Sequence, residues 1–207
     1  MSPRRTKAKD LRRKVANRPE RKTIVVFCEG KESEPDYING LRRLPHIRAD
    51  TAIEIVIDPE PGAPLNLVRR AIDRRSDDEI DECWCVFDVE WPKNHPDLRQ
   101  AVDLAGKQGV NLAISNPCFE LWLILHLDVH TGFLTTDQAG KKSRKLDGRQ
   151  GKSIDPSVYL DHRETAANRA RALAARHTAD GTSFPHDNPS SSMADFLASV
   201  ERPSSRP

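Results

Sequence analysis

Hydrophobic residues follow two alternating periodicities between residues 22 and 128. Apolar, β-branched runs predict strands at residues 22–28, 51–57, 83–87 and 110–114. The intervening segments carry apolar residues at helical spacing and predict amphipathic helices. This regular alternation favours an α/β fold, in which a sheet of about four mainly parallel strands is flanked by helices.

The pattern weakens after residue 128. Residues 132–155 resemble a polar loop, residues 157–177 predict one helix, and a short last helix follows a cap at residues 188–192. We therefore predict a chain built in four parts. They are a basic disordered arm (1–21), an α/β core (22–128), a basic loop with a helical extension packed on the core (129–200), and a disordered tail (201–207).

Two helix starts are predicted from local signals. Ser33 resembles an N-cap, and Asp36 stands three residues later as its capping-box partner. Ser115, Asn116 and Pro117 resemble the start of an apolar, buried helix, with Asn116 as a candidate N-cap.

Acidic residues stand at the carboxyl ends of two predicted strands, where open parallel sheets bind ligands. Glu29 follows the first strand, and Asp88 and Glu90 follow the third. Side chains alternate with period two, so the D-x-E spacing would place both carboxylates on one side of an extended strand end. If the two strands are neighbours, the three carboxylates converge, and Mg²⁺ would relieve their repulsion. The alternative is that they are solvated loop residues.

Glu120 lies close to the start of the most apolar helix. A carboxylate there is favoured by the helix dipole, which would give it a purely structural role. It could instead pair with a buried cation or complete a metal site. Lys31, which follows Glu29 in the first acidic turn, is a candidate phosphate contact, although a solvated lysine is the better explanation from sequence alone.

Basic residues are clustered although the net charge is only +2. Such clusters are typical of surfaces that bind a phosphate backbone. The same clusters would also suit a solvated tail and a mobile loop. The candidate nucleic-acid-binding residues are Arg12, Arg13 and Lys14 in the arm, and Lys141, Lys142, Arg144 and Lys145 in a second basic run at residues 141–152.

The four cysteines lie mostly in or beside strand-like runs, and none forms a CxxC pair. This pattern predicts buried free thiols in a reducing compartment. No apolar run reaches the ~18 residues of a membrane span, and no signal-peptide pattern follows the basic N-terminus. We therefore expect a cytoplasmic protein.

Four segments together resemble the RloB family of Toprim-like bacterial proteins. They are FCEGKESEP at 27–35, VFDVE at 86–90, SNPCFELW at 115–122 and NPSS at 188–191. The resemblance spans about residues 22–200, and its Asn-Pro-x-Phe-Glu-x-Trp segment is the most specific part. Proteins of this family are found beside restriction–modification and anti-phage loci, sometimes with a partner ATPase.

The resemblance implies a Toprim-type site on a Toprim- or Rossmann-like sheet. Glu29 would act as a general acid/base or be linked to the metal, and Asp88 and Glu90 would bind Mg²⁺, with Mn²⁺ as a substitute. At this acidic pair Toprim proteins usually carry D-x-D, whereas this chain has D-x-E. It also has Trp91 and Pro92 where the family pattern often continues with further acids.

Three functions are compatible with these features. The leading one is a Mg²⁺-dependent endonuclease or related phosphodiester-cleaving enzyme that acts on DNA or RNA, in phage defence and abortive infection. The second is a catalytically inactive binding or regulatory subunit that works with an ATPase partner. The third is a structural α/β protein with an incidental acidic rim. A homo-oligomer is compatible with the first two, and no membrane partner is expected.

Overall fold

One mixed sheet organises the chain in a computed structural model that describes residues 21–57 and 64–201. Within these residues the strand order is β2-β1-β3-β4-β5, and the first four strands run parallel while β5 is antiparallel to β4. The strands are β1 (Lys22–Cys28), β2 (Thr51–Ile57), β3 (Glu82–Asp88), β4 (Asn111–Asn116) and β5 (Ser190–Ser191).

Helices cover both faces of this sheet, which confirms the predicted α/β class with a helical C-terminal extension. Alternate residues of β1 enter two separate cores: Ile24 and Val26 face one, and Val25 and Phe27 face the other. The described helices are α1 (Ser33–Leu41), α2 (Pro45–Asp50), α3 (Pro64–Arg75), α4 (Leu98–Gln108), α5 (Glu120–Leu127), α6 (Thr136–Asp147), α7 (Ser157–Leu160), α8 (Arg163–Ala179) and α9 (Met193–Val200).

The pairing of β1 with β3 matters most for the site. Cys28 is in register with Val86, so the turn that follows β1 lies beside the carboxyl end of β3. The predicted convergence of Glu29 and Asp88 required β1 and β3 to be neighbouring strands, and they are.

The polar loop predicted at residues 132–155 is wrong over half of its length, because α6 occupies Thr136–Asp147. Thr135 and Gln138 form a reciprocal capping box that starts this helix. Gly148 ends it in a left-handed conformation. Lys141, Lys142, Arg144 and Lys145 thus belong to a helix and not to a loop.

The single helix predicted at residues 157–177 is two helices, α7 and α8, separated by a break at residues 161–162. The predicted cap of the last helix is also different. Ser192 makes no capping bond and instead accepts a hydrogen bond from Ile114 N (2.8 Å). Part of the predicted cap is the short strand β5.

The capping box predicted at Ser33 is absent, because both side chains bind a distant segment instead. Ser33 Oγ donates to Lys152 O (2.7 Å). Asp36 Oδ2 accepts from Ser153 Oγ (2.7 Å) and from Ile154 N (3.0 Å). These contacts anchor residues 152–154 to α1.

Asn116 is not an N-cap, because Ser115 and Asn116 belong to β4 and α5 begins only at Glu120. The buried Asn116 side chain accepts from Trp91 Nε1 (2.8 Å) and donates to Pro185 O (3.0 Å) and to Asp187 Oδ1 (2.9 Å). It therefore joins the loop after β3 to the segment before β5.

Several predictions concern parts of the chain outside the described residues. These include the basic arm, except Arg21, and the tail after Glu201. Within the described residues all four cysteines are free and buried, as predicted. No helix in this part of the chain has the length and apolar content needed to cross a bilayer. The four-part division and the cytoplasmic location stay predictions.

A close contact between α1 and the start of α7 predicts a steric effect at Gly40. A Cβ added there would lie 2.3 Å from Pro156 Cβ. We expect Gly40→Ala to lower the free energy of unfolding by about 1–3 kcal/mol. The matched control is Gly106→Ala in α4, where a Cβ meets nothing within 4 Å. It should stabilise by about 0.5–1 kcal/mol. Urea unfolding of both variants tests this, and two equal effects would contradict the packing.

Candidate functional site

A cavity of about 520 Å³ lies at the carboxyl ends of β1 and β3. Six of the residues around it are acidic, against two lysines and one histidine. The lining residues are Glu29, Gly30, Lys31, Glu32, Ser33, Glu34, Asp88, Glu90, His95, Phe119, Glu120 and Lys152. Open α/β sheets bind their ligands at this edge.

Glu29 is held firmly in the turn after β1. Its N–H donates to Val86 O (3.0 Å), and its Oε2 accepts from Asp88 N (3.2 Å). Its Oε1 lies 3.1 Å from His95 Nε2 in an ion pair. Contact with Glu29 is the main reason that the pKa of His95 is raised, which favours the protonated ring.

Asp88 ends β3 and carries a poorly compensated carboxyl group. Its Oδ1 is buried and has no hydrogen-bond partner among the described residues. Burial, together with the charges of Glu34, Glu120 and Glu29, raises the pKa of Asp88 well above its usual value. An acceptor that is buried without a partner normally costs free energy unless a ligand satisfies it.

Glu90 reaches the cavity through a turn and not through strand alternation. Its φ of 67° lies in the left-handed region, so the argument from an extended D-x-E spacing is wrong at this residue. Its N–H donates to Pro117 O (2.8 Å), and its Oε2 accepts from Thr136 Oγ1 (2.7 Å). One side of this carboxylate is therefore engaged by α6.

Glu34, on α1, is a buried carboxyl group that the sequence interpretation did not single out. It is 7% exposed and packs against Gly30, where a Cβ would lie 2.2 Å from Glu34 Oε2. Burial, and then the charges of Glu120 and Glu29, raise the pKa of Glu34 to about 7. A side chain at position 30 would therefore displace this carboxyl group.

Glu120 is the first residue of α5, and it approaches Asp88 and Cys118. One ligand atom from each of these three residues lies within 4.8 Å of the other two. Glu120 Oε1 is also 4.0 Å from Nη2 of Arg149, whose side chain is only 10% exposed. Both a buried cation and a candidate metal position therefore stand next to Glu120.

The donor atoms of this cluster fit a hard divalent cation. Asp88 and Glu120 supply carboxylate oxygens, and Asp88 Oδ1 is free to accept a ligand. Burial, followed by the charges of Glu120 and Asp88, raises the pKa of the Cys118 thiol well above its usual value. A protonated thiol is a poor ligand, so the oxygen atoms favour Mg²⁺ or Mn²⁺ over a thiolate-bound metal.

The predicted basic residues occupy different positions relative to the cavity. Lys31 lines it, and so does Lys152, the last residue of the second basic run. Lys141 pairs with Asp137 (2.7 Å) and Lys142 pairs with Asp128 (2.8 Å), away from the lining. Arg144 and Lys145 are on α6 and do not line the cavity, and Arg12, Arg13 and Lys14 lie outside the described residues.

Two further lining residues, His95 and Glu34, carry no sequence signal that marks them as functional. His95 follows the acidic pair by a few residues in a loop without periodicity. Glu34 carries an ordinary helix-start signal, and its burial depends on the close approach of Gly30. Lys152 reaches the cavity because Ser33 and Asp36 anchor its segment, and no local pattern indicates that.

Comparison with known protein families identifies one family over most of the chain. The sequence model of the RloB-like protein family matches residues 24–200. This range contains every described element that lines the cavity. A search of curated proteins finds no match.

The raised pKa of Glu34 predicts a pH-dependent cost in the metal-free protein. The unfolded carboxyl ionises near its usual 4.5, whereas the folded one ionises near 7. Stability present below pH 4.5 is therefore lost as the pH rises to about 7, by up to about 3 kcal/mol. In EDTA, Glu34→Gln should gain stability relative to wild type across this window.

Urea unfolding at pH 4.5, 6 and 8 measures this difference. Glu164→Gln, which removes an exposed carboxyl group of α8, is the surface control. A Glu34→Gln advantage that is the same at all three pH values would contradict the burial argument.

Proposed function

We propose that this chain, which belongs to the RloB-like protein family, is a Mg²⁺-dependent enzyme that cleaves phosphodiester bonds in nucleic acid. One observation carries the proposal: acidic side chains crowd the cavity, and the buried Asp88 Oδ1 has no partner in the described chain. Such an arrangement is costly to folding, and perturbed carboxyl groups in a cleft are a mark of functional sites.

Asp88 and Glu120 would hold the metal ion. Both present oxygen atoms to one point, and both belong to rigid elements, β3 and α5. The ion would supply charge stabilisation to the phosphoryl oxygens and to the attacking or leaving oxygen. Glu90, which lines the same cavity, accepts a hydrogen bond from Thr136 at one of its carboxylate oxygens.

Glu29 and His95 would handle the proton. His95 Nε2 lies 3.1 Å from Glu29 Oε1, and both residues line the cavity. A general acid or base acts best when its pKa lies near the working pH, and contact with Glu29 raises the pKa of His95. The hydrogen bond from Asp88 N fixes Glu29, so the pair keeps its position relative to the candidate metal ligands.

Lys31 and Lys152, which also line the cavity, would bind the phosphate backbone. Both line the cavity from segments that α1 holds together through Ser33 and Asp36. A lysine ammonium binds phosphate as a point charge and does not depend on base sequence. The basic arm at residues 1–21 would extend this contact.

Membership of the RloB-like family fits a protein of a defence locus. We extend this to a role in phage defence, with an ATPase partner or a second copy of the chain as a regulator. An enzyme that is toxic to its own cell would be expected to stay inactive until a trigger activates it.

The alternative is a catalytically inactive binding or regulatory subunit. The observation in its favour is the engagement of Glu90 Oε2 by Thr136, which occupies part of the D-x-E pair. Nucleic-acid binding without any metal requirement would support this alternative.

Metal binding is the first consequence of the proposal that can be measured. Calorimetry should show saturable binding of Mg²⁺ or Mn²⁺ by the wild type. Asp88→Asn should weaken binding at least about tenfold, since it removes a charged ligand. The control is Asp137→Asn, which removes an exposed carboxylate paired with Lys141. Equal affinities for both variants would place the metal elsewhere.

Cleavage is the second consequence. Single- and double-stranded DNA and RNA should be screened with Mg²⁺ and Mn²⁺. Glu29→Gln should reduce the turnover rate by about 10²–10⁴-fold, which is typical for loss of a general acid or base. Its nucleic-acid affinity should stay within about threefold of wild type. Glu79→Gln, an exposed site, controls for charge.

An active Glu29→Gln variant would remove Glu29 from the reaction. A wild-type protein that binds nucleic acid and metal but cleaves none of the substrates would favour the binding-subunit alternative.

A further inference from the structure

Phe133 is an exposed aromatic residue in the segment between α5 and α6. It is 58% exposed, which is unusual for a phenylalanine, and its ring packs against Trp91 with centroids 5.6 Å apart and an interplanar angle of 72°. His186, also exposed, lies 6.4 Å from Trp91 between ring centroids. We call Trp91, Phe133 and His186 the aromatic patch.

The segment that presents Phe133 is anchored on both sides. The side chain of the buried Asn188 accepts from Leu134 N (3.1 Å) and donates to Leu134 O (2.9 Å). Arg176 Nη1 donates to Thr131 O (2.8 Å). Phe133 is therefore held in an exposed position by its neighbours and not left there by a loose loop.

One hydroxyl group connects the patch to the cavity. Thr136 Oγ1 accepts a hydrogen bond from Trp91 N (3.0 Å) and donates one to Glu90 Oε2 (2.7 Å). Thr136 N also donates to Trp91 O (3.1 Å). Since Glu90 and Trp91 are consecutive residues, the patch begins about one Cα–Cα step, ~3.8 Å, from the cavity wall.

We propose that the aromatic patch stacks an unpaired base, and that the substrate is therefore single-stranded nucleic acid. This inference rests on the proposed function, because it assigns a substrate class to the same cavity. Aromatic side chains bind the faces of unpaired bases, whereas the faces of paired bases are already covered within the duplex. A phosphate in the cavity would leave an adjoining base beside Phe133.

The size and surroundings of the patch favour a base over a protein partner. A stable protein interface buries ~800 Å² on each partner, whereas one aromatic side chain buries at most about 250 Å². Among the exposed large apolar residues of the described chain, Phe133 is the only aromatic one. The neighbouring Lys93 is exposed and supplies a positive charge for the backbone.

Tryptophan fluorescence offers a direct test. Trp84 and Trp122 are 6% and 0% exposed, so Trp91 is the only partly exposed tryptophan of the three in the chain. The full chain is titrated in EDTA with 12-nucleotide single strands of DNA and of RNA, and with the matching duplexes. We expect single strands to quench the emission and to bind more tightly than duplexes.

The variants separate stacking from other contacts. Phe133→Ala should weaken single-strand binding about 5- to 20-fold, as expected for the loss of one stacked base. Phe133→Tyr keeps a ring and should retain wild-type affinity. Val158→Ala removes another exposed apolar side chain, one that belongs to α7, and should have no effect.

Three outcomes would overturn the inference: Phe133→Ala binds like wild type, duplexes bind as tightly as single strands, or the wild type binds no nucleic acid. The proposed function is tested separately, by calorimetric metal binding and by the cleavage assay. Metal-dependent cleavage that is indifferent to Phe133 refutes the patch alone. Stacking without metal binding or cleavage refutes the enzyme and keeps the patch.

Discussion

Electrostatic repulsion among converging carboxyl groups is the constraint around which this structure is arranged. Parallel pairing of β1 with β3 brings Glu29 against the end of β3, where its carboxylate accepts from Asp88 N. Burial and mutual repulsion then raise the pKa values of Glu34 and Asp88. Neighbouring groups offset only part of this cost, namely His95 beside Glu29 and Arg149 near Glu120.

The rest of the fold supplies the rigidity that keeps these charges together. Two cores on opposite faces of the sheet fix β1 and β3 from both sides. The C-terminal extension adds buried polar ties, since Asn116 connects the loop after β3 to the segment before β5, and Asn188 anchors Leu134. Packing and satisfied hydrogen bonds therefore hold together acidic side chains that would otherwise repel one another and move apart.

Thr136 gives the site a second layer of organisation. Its hydroxyl group joins Glu90 on the cavity wall to the backbone of Trp91, and Trp91 in turn contacts Phe133. The chemistry proposed for the cavity and the stacking proposed for the patch thus depend on the same residue. A change at α6 would be transmitted to both, because α6 begins at Thr136.

The sequence alone determined the parallel α/β class and the acids at the ends of β1 and β3, because buried strands and strand ends have local periodic signals. It did not predict α6, whose polar face resembles a loop, or the burial of Glu34. Ser33 and Asn116 carry helix-start signals, yet their side chains form hydrogen bonds with residues distant in the sequence. Only the tertiary structure decides such contacts, because hydrogen bonds between segments far apart in the chain leave no local pattern.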